Sequence, residues 1–110
     1  MMQESNLSRL ELHNILCDLM ASMGLKPNVY FQPPNNVKMG YPAIRYNLSG
    51  VEDTRADDDL YHVKKRYSLT VIDTNPDSVI WMKVMNLKFT KFDRFYTAPG
   101  LNHWAFSLYY

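Results

Sequence analysis

A chain of 110 residues is the length of one domain, and residues 1–110 are expected to form a single one. At this size about 65% of the unfolded surface can be buried, enough for a core without disulfide or metal staples. Twelve basic residues face eleven acidic ones, a net charge of +1, which excludes a nucleic-acid grip made by overall charge and leaves little repulsion between copies.

The single cysteine, Cys17, excludes an intrachain disulfide and points to synthesis in a reducing compartment. The start, Met1-Met2-Gln3-Glu4-Ser5, lacks the basic-then-apolar pattern of a signal peptide. No apolar run approaches the ~20 residues of a membrane span, so no membrane partner is expected. The eight Tyr, five Phe and two Trp exceed what a core this small must hold, and some are expected at interfaces.

Residues 5 to 23 predict an amphipathic helix, with Leu12, Ile15, Leu16, Leu19, Met20 and Met23 at spacings of three and four. Ser8 with Glu11 has capping-box spacing, and Ser5 is an alternative cap. Gly24 stops the helix and Pro27 lies just beyond. Cys17, beside the apolar stripe, reads as a small half-buried residue. Val29 to Phe31 is a short strand, and the polar segment from Pro33 to Gly40 is a surface loop. Pro42 to Leu48 is the next strand, with Ile44, Tyr46 and Leu48 on one face.

Ser49 to Asp59 holds Glu52, Asp53, Asp57, Asp58 and Asp59, relieved only by Arg55. Its charge and few apolar residues predict a mobile hairpin tip, poorly ordered in a free subunit and ordered on assembly. Leu60 to Asp73 then alternates: Tyr61, Val63, Tyr67, Leu69 and Val71 on one side, His62, Lys64, Arg66, Ser68 and Thr70 on the other. A period of two over this length is a long strand with one buried face.

Asn75 is expected to cap a second helix running from about Pro76 to Leu87, with Val79, Ile80, Val84 and Leu87 inward. Thr90 to Thr97 is a strand, Ala98-Pro99-Gly100 a turn, and Leu101 to Tyr110 the return strand, with Trp104, Phe106, Leu108 and Tyr110 on one face. Ending on a strand suggests that the terminus is held in the sheet. The order helix, strand, strand, strand, helix, strand, strand predicts an α+β fold: a mainly antiparallel sheet of about five strands with two helices on one face. The opposite face, with Lys64, Arg66, Ser68, Thr70 and Ser107, can meet water or a polar partner.

Chemistry is hard to find. The aspartates around Asp57 lack the alternate ligands, central Gly and distal Glu of a calcium loop. His13, His62 and His103 share no ligand spacing. There is no phosphate loop, nucleophile elbow or dinucleotide fingerprint. No metal, cofactor or catalytic residue is therefore expected, and an enzyme is not the reading taken. Asp93-Arg94, within the aromatic run Phe92, Phe95, Tyr96, is either an edge strand protected by charge or a salt link to a neighbouring subunit. Tyr109, opposite in face to Phe106, is free to serve an interface. Glu52, Asp53, Arg55, Asp57, Asp58, Asp59, Asp93, Arg94 and Tyr109 are thus the candidate protein-interface residues.

Three runs carry a resemblance. They are Tyr41-Pro42-Ala43-Ile44-Arg45-Tyr46, Arg66 to Asp73 followed by Pro76-Asp77-Ser78, and Phe92-Asp93-Arg94-Phe95-Tyr96-Thr97-Ala98-Pro99-Gly100-Leu101-Asn102-His103. Across residues 8 to 110 the chain resembles the tail terminator, or tail-completion, proteins of tailed bacteriophages. The resemblance rests on pattern and element order, not on a catalytic signature. It implies a structural virion protein, assembled in the host bacterial cytoplasm, that forms a homo-oligomeric ring, commonly a hexamer, on the head-facing end of the tail. The ring stops tube polymerisation and presents a surface for head–tail joining. Its implied partners are the tail tube protein and a head connector or completion protein, with DNA passing through the ring without specific binding. Two alternatives stay open: a head-completion or connector adaptor of the phage neck, and a small nucleic-acid-binding module built on Lys64, Lys65 and Arg66.

Overall fold

The computed structural model describes the backbone of residues 2–34, 36–56 and 59–110, and the side chains of 9–34, 36–52 and 64–110. In chain order the elements are α1 (Met2–Ser22), β1 (Val29–Phe31), β2 (Ala43–Ala56), β3 (Asp59–Asp73), α2 (Ile80–Met85), β4 (Thr90–Ala98) and β5 (Leu101–Tyr109). The five strands form one sheet in the order β1-β2-β3-β5-β4. The fold is α+β, but the sheet is mixed rather than mainly antiparallel. β1 joins β2 in parallel, Val29 facing Ile44, while the other three pairings are antiparallel. The long connection between β1 and β2, from Gln32 to Pro42, is what allows the parallel arrangement.

Register explains the core. Val71 lies opposite both Ile44 and Trp104, Leu69 opposite Tyr46 and Phe106, and Tyr67 opposite Leu48 and Leu108. These rows project to one face, where Leu12, Leu16 and Met20 of α1 and Ile80 and Val84 of α2 join them in a single buried cluster. The alternation in β3 is therefore a true buried face. Leu48, within β2 just before the bulge, and Tyr110, just past β5, are exceptions: both are exposed. Ile15 and Val79, expected inward, are exposed too. In α1 the buried residues step by four, so Ile15 falls on the flank of the stripe.

The element ends differ from the sequence expectations for local reasons. α1 starts at Met2, which places Ser5 and Ser8 within the helix instead of at its cap. Its C-terminus is a Schellman motif: Gly24 has φ 73°, Leu25 N–H donates to Met20 C=O, and Gly24 N–H to Ala21 C=O. Asn75 does not cap a helix. Its side chain accepts from Asp77 N–H at 2.9 Å, its own N–H donates to Asp73 Oδ1 at 3.0 Å, and its carbonyl accepts from Ser78 N–H. These bonds close a local turn over residues 75–78, and α2 begins only at Ile80 and is six residues long. Pro99-Gly100 makes the β4–β5 turn, with φ 75° at Gly100 as its second corner demands.

The segment from Ser49 to Asp59 is the largest correction. It is not a loop. β2 continues through it, paired with β3 from Gly50↔Arg66 to Ala56↔Asp59. β5 covers β3 only from Arg66 onward, so Val51–Ala56 and Asp59–Lys65 form a two-stranded arm that runs past the rest of the sheet. The molecule is accordingly long, 51 × 29 × 25 Å, with a radius of gyration of 15.1 Å, against about 13 Å for a compact chain of this length.

Candidate protein-interaction surface

The arm leaves the sheet at a built junction. A β-bulge between Leu48 and Gly50 adds Ser49 to one strand and increases the local twist. Arg66 of β3 fills the space beside the missing Gly50 side chain: a Cβ there would lie 2.7 Å from Arg66 Nη2. The guanidinium donates to Ser49 Oγ and to Ser49 C=O, both at 3.3 Å, while Ser49 Oγ donates to Arg66 C=O at 3.0 Å. Glu52 Oε1 lies 4.0 Å from Arg66 Nη1, a solvent-screened ion pair of small energetic value. Tyr109 Oη donates to the same Glu52 oxygen at 2.8 Å. Of the residues singled out in the sequence, Glu52 and Tyr109 are thus brought together, 57 positions apart in the chain.

Asp93 and Arg94 lie on β4, the sheet's outer strand. The register shifts between Phe92, opposite Phe106, and Arg94, opposite Ala105. Asp93 is the extra residue, and it turns toward the polar face, where Ser107 Oγ donates to Asp93 Oδ2 at 2.7 Å. Arg94 lies over the Tyr96 ring, 5.0 Å from its centroid, and Tyr96 stacks on His103 at 4.6 Å with 10° between the planes. A charged, bulged edge opposes flat strand-on-strand pairing.

The helix-side face of the same edge is apolar and uncovered. Phe92 and Phe95 pack against Phe106 and Trp104 yet stay exposed, Phe95 at 48%. Phe89, at φ 59°, is 68% exposed, and its carbonyl accepts from Tyr109 N–H at 3.1 Å. Val79, just before α2, and Met82 and Met85 within it are exposed too. Around the corner, Leu12, Ile15, Leu87, Phe89, Leu108 and Tyr110 help to line a groove of about 450 Å³. Among the described residues Lys88 is the one charged group on its wall. The sequence reading missed these aromatics and Arg66. The available signal was the density of Phe and Lys between Lys88 and Phe95, too many apolar groups for an edge strand's one covered face.

Asp53, Arg55 and Asp59 belong to the arm, paired with Val63, Leu60 and Ala56, but their side chains lie outside the described residues, as do Asp57 and Asp58 entirely. The expectation that this tip orders only on assembly falls on the same residues. Among the described residues no group of three His, Cys, Asp or Glu side chains is placed to hold a metal. Burial, and then Asp18, push the Cys17 thiol up from its ordinary value, which makes it a poor nucleophile. Of the basic run, Arg66 is tied into the arm junction, and Lys64 sits 5.3 Å from the centroid of the Phe89 ring. No helix among the described residues is long and apolar enough to cross a membrane. Comparison with protein-family models finds no match, and neither does comparison with curated proteins.

Proposed function

We propose that this chain is a structural virion subunit of the tail-terminator kind: copies form a ring, hexameric in its working state, on the head-facing end of a phage tail tube. The ring stops tube growth and offers the surface on which the head connector docks, with DNA passing through it. The observation that carries this reading is the arm. A domain of this size commits fifteen residues to β3, about half of which pair outside the main sheet. A strand pair without a core of its own is marginal alone and gains from a neighbour. The exposed apolar side chains on β4 and α2 point the same way, because exposed apolar patches mark contact surfaces. The nucleic-acid alternative loses support, since Arg66 is already engaged within the chain.

Deleting the gene from a phage that encodes it tests the function. Tails of uncontrolled length that fail to join heads are the expected outcome. Tails of normal length that fail only at joining would instead assign a connector adaptor.

A further inference from the structure

The near-zero total charge hides a segregation between the two faces of the sheet. Both helices pack on one face. On the other, register sets the side chains in rows across β2, β3, β5 and β4. Arg45, Thr70, Ala105 and Arg94 make one row, and Asn47, Ser68, Ser107 and Lys91 the next. Lys64 and Arg66 extend the same face along β3, because residues two apart in a strand share a face. Among the described residues of these strands, Glu52, opposite Lys64, and Asp93 are the acidic groups on this side. Both are engaged: Asp93 accepts from Ser107, and Glu52 accepts from Tyr109 beside Arg66. Arg66 is tied into the arm junction, and Lys64 lies at the Phe89 ring. Arg45 and Lys91 are exposed and have no ion-pair partner among the described residues. Arg94 is exposed as well and lies over the Tyr96 ring.

The form of this face matters as much as its charge. Arg45 and Arg94 end one row, three strand spacings or about 14 Å apart. The floor between them carries short side chains, Ser68, Thr70, Ala105 and Ser107, all half-buried. The β1–β2 connection borders it, with Pro33, Val37 and Met39 forming a small recess beside Arg45. Protein partners draw most of their affinity from large anchors seated in pockets, and the floor between these cations offers none. A phosphate backbone needs only cations and hydroxyl donors. The arginines and Lys91 at the rim and the hydroxyls of Ser68 and Thr70 on the floor are groups of that kind.

We propose that the helix-free face of the sheet binds the phosphate backbone of duplex DNA, without regard to sequence, through Arg45, Lys91 and Arg94. The proposal rests on the ring reading above and says which face of the subunit is turned to the DNA in the bore. Contacts to phosphate alone read no base and let a protein slide along the duplex, which suits DNA in transit. They are few in one subunit, so its binding is weak and salt-dependent, and copies around a ring add to one another.

Fluorescence anisotropy of a labelled mixed-sequence duplex across a salt series tests it. The natural protein should bind at low salt and release the duplex as salt rises. Arg45→Gln with Arg94→Gln should weaken binding more than about tenfold at low salt and lower the slope of log affinity against log salt by about 2. Lys26→Gln with Lys83→Gln removes the same charge from exposed positions off this face and should bind like the natural protein. Should the arginine pair fail to fold by circular dichroism, Lys91→Gln is read for a slope lower by about 1. Equal losses in the two pairs, no binding by the natural protein at low salt, or tighter binding to polyglutamate than to the duplex overturn the proposal. Rings that still form in those cases leave the ring reading standing. DNA binding that depends on the arginine pair, in a protein that never forms rings, keeps the face and overturns the ring reading.

Discussion

Tyr109, the last residue of β5, donates its hydroxyl proton to Glu52 at 2.8 Å and so ties the end of one strand to the root of the arm carried by another. Both groups are reachable by water, so the bond steers direction more than it adds stability. Tyr109→Phe is expected to cost about 0.5–1.5 kcal/mol and to speed amide exchange in 51–56 and 59–65. A loss comparable to that of a core truncation would contradict this role.

Trp104 and Phe106 are the opposite case on the same strand. Both are buried in the core, opposite Val71 and Leu69 of β3. Cutting either to Ala should cost about 3–5 kcal/mol, a large part of a small domain's ~5–15 kcal/mol. Tyr109→Ala, which loses the bond to Glu52 and a half-buried ring, should cost clearly less than either core truncation. Equal losses at Trp104 and Tyr109 in circular dichroism melts would mean that the strand's faces are reversed.

The junction at Gly50 predicts coupling. Gly50→Ala forces the Arg66 guanidinium aside and removes its bonds to Ser49, so a loss of about 0.5–1.5 kcal/mol is expected. In an Arg66→Ala background the same change should cost nothing further. A double-mutant cycle measures this, and additive losses would show that the two positions do not share a space.

Two histidines set a pH dependence. Burial, and then Arg9, hold the His13 imidazole below its ordinary value, where it shares a 2.7 Å hydrogen bond with the Tyr46 hydroxyl. Burial, and then Arg45, do the same to His103, partly opposed by a backbone bond at Leu101. The unfolded chain therefore binds protons at these sites at a higher pH than the folded chain, and stability rises with pH. The contribution is complete above the ordinary histidine value, near 6.5, and is lost as the pH falls through it toward the lowered values. Melting temperature should drop from about pH 7.5 to about pH 5, less steeply in His13→Gln. An unchanged slope in that variant would remove His13 from the account.

The sequence was most legible where one physical signal acted alone. The period of two in β3 placed Tyr67, Leu69 and Val71 in the core, and Gly24 marked the helix stop through its free φ. It was least legible where two signals competed. Asn75, Pro76 and Asp77 read equally well as a helix start or as a hydrogen-bonded turn, and the short-range bonds from Asp73 and Asn75 won. Glu52 to Ala56 has poor strand propensity, but β3 opposite it needs backbone partners, and that demand outweighs propensity. At the candidate surface Glu52, Asp93, Arg94 and Tyr109 were visible as charges or rings without a core role. Arg66 and Phe89 were not, because their roles arise from a bulge and a left-handed backbone that composition does not announce.

The ring is the claim on which the rest depends, and sedimentation or light scattering across a concentration series, read beside negative-stain images of the same samples and of purified tails, tests it most directly. The account predicts closed rings, at high concentration or on one end of the tail tube, with copies found in every virion. A protein that stays monomeric throughout, and that is absent from purified virions, would contradict it.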